Sequence, residues 1–238
     1  MKIALLGYGK MGKEIEQIAL QRKHTIVLKT GRNDHPTTEQ LKQADVAIEF
    51  STPHSVLSNI SNCFAANLPV VVGTTGWYDK FEEVKAKCLQ NKQSLFYATN
   101  FSIGVNLYWK MTEQLAKLMN SYPEYDSSMQ EIHHIHKLDK PSGTAITTAQ
   151  RLLANQDQKD KWSIDSKHGK NELYIDVVRE DEVPGTHTVF YKSEVDEIIL
   201  SHLAYNRKGF ALGSVLAAEF LHQKKGVFTM SDMLECQH

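Results

Sequence analysis

The sequence predicts an α/β protein in two parts, a doubly wound parallel sheet followed by a second α+β domain built on a mixed or antiparallel sheet. Two observations predict this class. In about the first 100 residues, short apolar runs alternate with helical runs, the order typical of a parallel sheet covered by helices. After residue 170, three β-rich runs follow one another with turn residues but no helical run between them.

A glycine loop follows the first strand. The apolar run Lys2 to Leu6 leads into G-Y-G-K-M-G, and helical spacing begins after it. In this Rossmann-like pattern, Gly7 allows the tight turn, Gly9 lets backbone approach a pyrophosphate, and Gly12 permits close helix–strand contact. The predicted cofactor contacts in the loop are Gly7, Tyr8, Gly9, Lys10, Met11 and Gly12.

Four more strands are predicted: Thr25 to Leu28, Val46 to Phe50, Pro69 to Val72 and Ser94 to Ala98. Small polar residues follow the last three of them. Ligands of such sheets bind beyond the carboxyl ends of the strands. The residues predicted to line the nicotinamide and its ribose are Gly73, Thr74, Thr75, Ala98, Thr99, Asn100 and Phe101. The same residue types also form ordinary turns, so that alternative stays open.

The end of the second strand bears on the choice of cofactor. No acid follows it until Asp34, whereas an acid at its end would favour the free 2′-hydroxyl of NADH. Arg32 can instead pair with the 2′-phosphate of NADPH, with Lys29 or Lys10 nearby. We therefore favour NADPH over NADH; the alternative is that Lys29 and Arg32 are solvated loop charges.

The most unusual stretch is E-I-H-H-I-H-K-L-D-K-P-S-G-T-A, residues 131–145. In a strand from Ser127 to His134, Glu131 and His133 share one face. The Pro-Ser-Gly-Thr turn then opens a helical run from Thr144 to Ala154, and a helix start favours a carboxylate or phosphate. The candidate proton donors and anion-binding residues are His133, His134, Lys137, Ser142, Gly143 and Thr144.

Two alternatives compete for this histidine cluster. It can be a surface strand end, or a site that binds a metal adventitiously. Metal ligation is the weaker alternative, because no cysteine lies nearby and Lys137 places a positive charge inside the site. An anionic small molecule fits these residues better, and we predict no metal.

The remainder of the chain sets the predicted domains. Residues 155–170 are polar and predict a surface loop, and a helical run from Phe210 to His222 resembles those of the first part. We therefore expect a discontinuous dinucleotide-binding domain, residues 1–101 and 208–238, and a substrate-binding and oligomerisation domain, residues 102–207. The predicted strands of the second domain after residue 170 are Leu173 to Arg179, His187 to Tyr191 and Glu197 to His202.

Composition excludes some function classes. Lysine and arginine number 27 against 28 aspartates and glutamates, so a net charge of -1 predicts neither a nucleic-acid nor a membrane partner. Cys63, Cys88 and Cys236 are widely spaced and odd in number, which suits a reducing compartment. Without an apolar run of signal-peptide or membrane-span length, we expect a cytoplasmic protein.

Several motifs together carry a family resemblance. They are the histidine stretch at 131–145, G-Y-G-K-M-G, G-T-T-G, A-T-N-F-S-I-G-V-N, V-P-G-T-H-T and N-R-K-G-F-A. In order and spacing they resemble the dihydrodipicolinate reductase family, also called 4-hydroxy-tetrahydrodipicolinate reductases, over nearly the whole chain. The resemblance implies an NAD(P)H-dependent reductase of lysine and diaminopimelate biosynthesis, assembled as a homotetramer through its second domain.

The resemblance also implies residue roles. His133 is the expected general acid and Lys137 its partner, while His134, Gly143 and Thr144 contact the carboxylates of a cyclic dicarboxylate. Hydride passes from the nicotinamide to C4 after loss of the 4-hydroxyl, and a proton is delivered at C3. Two departures are Gly31, where members that use NADH well often carry an acid, and a shortened segment around residues 179–184.

Two other functions remain open from the sequence. A regulatory or redox-sensing protein would bind NAD(P) without needing His133 or Lys137. A semialdehyde dehydrogenase on the same scaffold would need a catalytic cysteine, and the positions of Cys63 and Cys88 within predicted helices disfavour it.

Overall fold

The computed structural model describes residues 1–32 and 34–235. Its contacts divide the chain into two compact units, the first Met1–Ile103 with Lys208–His238 and the second Gly104–Arg207. Cys236, one of the three cysteines noted above, lies outside the described residues. None of the helices within the described ranges is both long and apolar enough to cross a membrane.

The elements are numbered along the chain. The strands are β1 Lys2–Leu6, β2 Thr25–Thr30, β3 Val46–Glu49, β4 Val70–Val72, β5 Ser94–Tyr97, β6 Asp126–His133, β7 Lys161–Ser163, β8 Glu172–Arg179, β9 Thr186–Lys192, β10 Glu197–Leu203 and β11 Gly226–Phe228. The helices are α1 Lys10–Gln21, α2 Thr38–Leu41, α3 Val56–Ala65, α4 Phe81–Gln90, α5 Ile103–Met119, α6 Gly143–Leu153, α7 Lys208–Leu221 and α8 Met230–Glu235.

The first unit is built on a six-stranded parallel sheet in the order β11-β5-β4-β3-β1-β2. Both faces are covered, because alternate strand residues point to opposite sides. Ile3 and Leu5 join a core with α1 and α7, whereas Ala4 and Leu6 join a second core with α3 and α4. The predicted doubly wound sheet is confirmed, and β11 adds a sixth strand beside β5.

Two glycines of the loop after β1 are required by its geometry. Gly7 has φ +101°, and a Cβ added there would lie 2.2 Å from the carbonyl oxygen of Phe50. A Cβ on Gly12 would lie 2.5 Å from the carbonyl oxygen of Gly7. Gly9 has open space within 4 Å of that position. The loop is thus closed against β3 at Gly7 and open to solvent at Gly9.

The second unit carries a five-stranded mixed sheet in the order β10-β9-β6-β8-β7. The central strand β6 pairs parallel to β8 and antiparallel to β9. Every second residue of β6, from Ser127 to His133, is buried. Met129 on that face packs with Trp109 of α5 and Ala149 of α6, which cover this side of the sheet. The prediction of an α+β second domain on a mixed or antiparallel sheet is therefore confirmed as mixed.

The prediction of a surface loop over residues 155–170 is wrong in part. β7 lies within it and pairs with β8. Lys159 is also buried, with its side chain 2% exposed, and its Nζ lies 2.7 Å from Oδ1 of Asp126. It further donates to the carbonyl oxygens of Lys170 and Glu172. In the sequence alone, a lysine suggests a solvated surface residue. Here the Asp126 carboxylate and two backbone carbonyl oxygens bind the buried ammonium group of Lys159.

We expect Gly7→Ala to lower the free energy of unfolding of the first unit by about 2–5 kcal/mol, because it adds a backbone clash to a strained φ. Gly9→Ala is the matched control, and we expect it to stay within about 0.5 kcal/mol of the parent. Urea denaturation followed by circular dichroism measures both. Equal losses in the two variants would contradict the closed geometry at Gly7.

Candidate active site

A cavity of about 580 Å³ lies beyond the carboxyl ends of β1, β2 and β3. Because β1 lies between β2 and β3, the sheet order reverses at this point, which is where ligands of such sheets bind. The lining residues are Gly7, Thr30, Gly31, Arg32, Asp34, His35, Ser51, Thr52, His54, Ser55, Ser58 and Asn59. A cavity of about 330 Å³ shares several of these residues and adds Tyr8, Gly9 and Phe50.

The start of α1 is suited to an anion. Gly9 is its N-cap, no described side chain caps the helix there, and no acid lies in the first turn. The backbone N–H groups and the positive end of the helix dipole therefore favour a phosphate. These observations, together with the cavity at the switch point, fit the pyrophosphate of a dinucleotide.

The charges predicted for the 2′-phosphate differ in their surroundings. Lys29 lies 2.5 Å from Oε1 of Glu16 and 4.8 Å from the ring centre of Tyr8, so it is already engaged. Arg32 is exposed and lines both cavities. Asp34 accepts a hydrogen bond from the backbone N–H of Gly31 at 2.6 Å, which holds the turn that carries Arg32.

The residues predicted after β4 and β5 are partly structural. Thr74 is buried and its hydroxyl accepts from the backbone N–H of Ser51 at 2.8 Å. Phe101 is buried against Phe50, with ring centres 5.5 Å apart. Buried Ala98 and half-buried Gly73 and Asn100 accompany them, whereas Thr75 and Thr99 are exposed. Among the predicted residues of these two turns, the exposed threonines are the side chains open to a ligand.

Sequence reasoning assigned no role to the polar network after β3. Buried Glu49 accepts hydrogen bonds through Oε1 from the backbone N–H and hydroxyl of Ser51 and from the Asn59 amide. Burial raises the pKa of Glu49. Because Ser51 and Asn59 line the larger cavity, Glu49 holds part of its wall.

In the second unit, strand register gathers the histidine cluster. Glu131 and His133 lie on the buried face of β6, Glu131 beside His187 of β9 and His133 beside Arg179 of β8. Oε2 of Glu131 lies 3.2 Å from Nδ1 of His133 and 3.8 Å from Nε2 of His187. Its other oxygen accepts a hydrogen bond from Nη2 of Arg179 at 2.9 Å. Glu131 is thus a fully buried carboxylate shared by three basic side chains.

Ser142 lies at the start of α6 and is bonded to the buried cluster. It is 2% exposed and its backbone N–H donates to Oε1 of Glu131 at 3.0 Å. Its hydroxyl accepts from the backbone N–H of Ala145, as the N-cap of α6, and lies 3.2 Å from Nε2 of His187. This buried hydroxyl is thus engaged within the protein, whereas Gly143 is exposed and Thr144 half-buried at the helix start.

Two pKa values in the cluster are strongly shifted. Burial acts to raise the pKa of Glu131, but contacts with His133, Ser142 and Arg179 outweigh it and lower the pKa to about 2. Burial, followed by the neighbouring His133, lowers the pKa of His187 to about 3. Near neutral pH, Glu131 is therefore ionised and His187 is neutral.

The other predicted residues lie in the loop after β6. Nζ of Lys137 lies 2.8 Å from Oδ1 of Asp139, and its side chain is 22% exposed. His134 is half-buried, and its ring lies 6.1 Å from that of His136. Arg179 and His187, which sequence reasoning did not assign, come from strands distant in the chain. The histidine in V-P-G-T-H-T was the available signal for His187.

The cluster around Glu131 is better suited to proton transfer than to binding a metal ion. Glu131, His133 and His187 offer ligand atoms within 4.8 Å of one another. However, Arg179 binds the same carboxylate and places a positive charge beside any cation.

The comparisons with known proteins agree with the geometry of both units. The family model described as dihydrodipicolinate reductase, N-terminus, matches residues 1–101, and the one described as its C-terminus matches residues 104–234. The chain belongs to the dihydrodipicolinate reductase family. This family consists of oxidoreductases, and its N-terminal part is a nicotinamide nucleotide-binding fold. The predicted family resemblance is therefore confirmed.

Two curated relatives carry the name 4-hydroxy-tetrahydrodipicolinate reductase. The relative from Christiangramia forsetii is 45% identical over 236 residues, covering 98% of each chain. The one from Methanoregula boonei is 33% identical over 198 residues, covering 81% of this chain and 76% of the relative. A dihydrodipicolinate reductase from Paenisporosarcina sp. TG-14, solved with dipicolinate bound, is 23% identical, with a TM-score of 0.78. It covers 96% of this chain and 97% of its own, and this likeness supports the fold.

Because His187 is neutral in the folded chain, it should contribute to acid lability. Its pKa is about 3 when folded and about 6.5 when unfolded, so between these values the unfolded chain binds a proton that the folded chain does not. We expect stability to fall as pH drops from 6.5, by up to about 1.4 kcal/mol per pH unit.

His187→Gln should make this fall shallower between pH 6.5 and 4.5, measured by urea denaturation at each pH. His136→Gln is the control, since its side chain is 70% exposed. A slope that His187→Gln leaves unchanged would contradict the burial effect.

Proposed function

We propose that this protein catalyses the NAD(P)H-dependent reduction of 4-hydroxy-tetrahydrodipicolinate, or dihydrodipicolinate, to tetrahydrodipicolinate in lysine and diaminopimelate biosynthesis. The observation that carries this proposal is the buried Glu131–His133 pair bonded to the residue that caps α6. This pair supports the proposal because Glu131 connects the candidate proton donor to a helix start that suits a carboxylate. The reaction is inferred from family membership, and these residues supply the groups that would transfer the proton and bind the carboxylate.

The substrate is a doubly negative ring, so it needs several donors and positive charges. The start of α6 presents exposed Gly143 and half-buried Thr144, where backbone N–H groups and the helix dipole favour a carboxylate. His134 and Lys137, in the loop before this helix, are the proposed side-chain partners. The dipicolinate bound to the solved relative is a ligand of this dicarboxylate kind.

His133 is the proposed general acid. Nδ1 is fully buried and faces Glu131, which leaves Nε2 as the nitrogen that donates the proton. Glu131 stays ionised because its pKa is about 2, so it orients the ring and stabilises the protonated imidazole. Lys137, four residues further on, is the proposed partner that stabilises negative charge as it develops on the ring. The nicotinamide nucleotide, when bound, supplies the hydride.

NADPH is the proposed preferred cofactor, with NADH as the alternative. The exposed guanidinium of Arg32 lines the cavity beyond β2, where a 2′-phosphate needs a positive partner. Asp34 in the same wall is engaged by Gly31, although its charge opposes a phosphate. Because Lys29 is engaged by Glu16, the proposal for NADPH depends mainly on Arg32.

We also propose that the second sheet mediates a homotetramer. The face of the sheet opposite α5 and α6 carries Phe190 of β9 and, directly across from it, Ile199 of β10. Ile199 and Leu203 are each 55% exposed. Aliphatic side chains exposed on an edge strand are suited to pairing between subunits.

A regulatory NAD(P)-binding protein is the second candidate, and the site argues against it. Such a protein has no use for a buried carboxylate that orients a histidine.

Cysteine chemistry of the semialdehyde dehydrogenase type is also disfavoured, because burial raises the pKa of the Cys63 thiol and raises that of Cys88 to about 11.

We expect His133→Gln to lower kcat by about 10²–10⁴-fold, because the proton donor is lost, while the affinity for NADPH stays within about twofold. The assay couples freshly generated dihydrodipicolinate synthase product to the loss of NADPH absorbance. His168→Gln is the control, since this histidine lies on a loop and stacks on Tyr174. Turnover in His133→Gln equal to the parent would refute the role of general acid.

We expect Arg32→Ala to raise KM for NADPH about tenfold and to change KM for NADH little, because only the phosphorylated ribose loses a charged partner. The same assay run with each nucleotide measures both constants. Lys42→Ala, at an exposed lysine after α2, is the control. Equal changes for the two nucleotides would remove the basis for preferring NADPH.

A further inference from the structure

We propose that Arg179 is a positioning residue of the reaction, which fixes both the Glu131–His133 pair and the loop that carries Lys137. This inference rests on the proposed function, since it assigns Arg179 a role in proton delivery by His133. Neither the family motif at 131–145 nor the strand pattern assigns it one. Arg179 is the last residue of β8, at the start of the shortened segment noted in the sequence.

The guanidinium of Arg179 binds four acceptors. Nη2 donates to Oε1 of Glu131 at 2.9 Å and to the carbonyl oxygen of Asp139 at 2.6 Å. Nε donates to the carbonyl oxygen of Lys137 at 3.3 Å, and Nη1 to that of Val178 at 2.8 Å. Three of these acceptors belong to the segment from Glu131 to Asp139. One planar group therefore ties the acid strand to the loop that follows it.

Backbone contacts continue this attachment beyond Arg179. The N–H of His134 donates to the carbonyl oxygen of Val183 at 2.8 Å, and the N–H of Glu180 donates to that of His133 at 2.9 Å. The segment after β8 therefore runs alongside the histidines. Gly185, also in it, lies so close to His133 that an added Cβ would be 2.9 Å from Nε2.

The charges give Arg179 a signature that a purely structural residue lacks. Four titratable or charged groups surround His133. Glu131 lies on the same strand, β6, whereas Arg179 is on β8 and His187 is on β9. Lys137 lies in the loop that follows β6. Glu131 is shared between His133 and Arg179, through its two different oxygens. Loss of Arg179 removes the cation that competes with His133 for the carboxylate, whereas loss of the Glu131 charge removes the anionic partner of His133.

We therefore expect opposite shifts of the pH dependence. In Arg179→Met, kcat should fall about 10- to 100-fold, because the acid and the Lys137 loop are displaced. The alkaline limb of its kcat profile should move to higher pH. In Glu131→Gln the same limb should move to lower pH. KM for NADPH should stay within about twofold in both variants, since the nucleotide loop belongs to the other unit.

Lys159→Met is the matched control. Lys159 is a buried cation of the same unit, which binds two carbonyl oxygens and a carboxylate at the opposite end of β8. It should lose thermal stability as Arg179→Met does, without a shift of the pH profile. Two further variants keep the test possible if Arg179→Met does not fold. Arg179→Lys keeps the positive charge, and the double variant Glu131→Gln/Arg179→Met leaves no buried charge without its partner.

Wild-type activity with the dicarboxylate tests the proposed function separately. If the wild type reduces no substrate, the proposed function fails; if it is active, the Arg179 variants decide the inference. Binding of dipicolinate measured by calorimetry adds a readout without turnover, and we expect it to weaken about tenfold in Arg179→Met and not in Lys159→Met. The inference about Arg179 would be overturned if the alkaline limb moved in the same direction in Arg179→Met and Glu131→Gln. It would also be overturned if the pH profile of kcat and the affinity for dipicolinate were unchanged in both Arg179→Met and Arg179→Lys.

Discussion

The second unit depends on one buried carboxylate. Glu131 is inaccessible to solvent, yet ionised, because Arg179, His133 and the backbone N–H of Ser142 bind it from three different segments. A buried ion pair is of doubtful value for stability alone, since desolvation offsets the attraction. Its value here is geometric. The same oxygens bind β6, the neighbouring strand β8 and the N-cap of α6.

Local signals in the sequence locate the glycine loop and the first five strands of the first unit. The glycine loop lies directly between a strand and a helix, and each later strand is a short apolar run, so spacing and period identify them. The short helices α2 and α8 and the three-residue strands β7 and β11 were not delimited, because so few residues establish no period. Lys159 was misread for another reason, since a charged residue looks solvated until its distant acceptors are known.

The candidate site was predictable only where its residues are neighbours in the chain. The alternation in β6 placed Glu131 and His133 on one face, as the structure shows. Arg179 lies 48 residues from Glu131, and His187 lies 45 residues from Ser142, so strand register alone brings them together. The same strand register brings His187 within 3.2 Å of the Ser142 hydroxyl, which the turn motif alone suggests is free to bind a ligand. A single sequence does not encode such long-range pairing in any local pattern.

The sixth strand of the first sheet has a consequence for how the chain matures on the ribosome. β5 has no outer neighbour until residues 226–228 have been synthesised, and α7 closes one face of that sheet only after the whole second unit has emerged. The second unit is continuous, from residue 104 to residue 207, and can reach its native contacts earlier. The half made first is therefore completed last, and in the interval it exposes an open sheet edge and an uncovered apolar layer, the surfaces on which nascent chains aggregate or recruit chaperones.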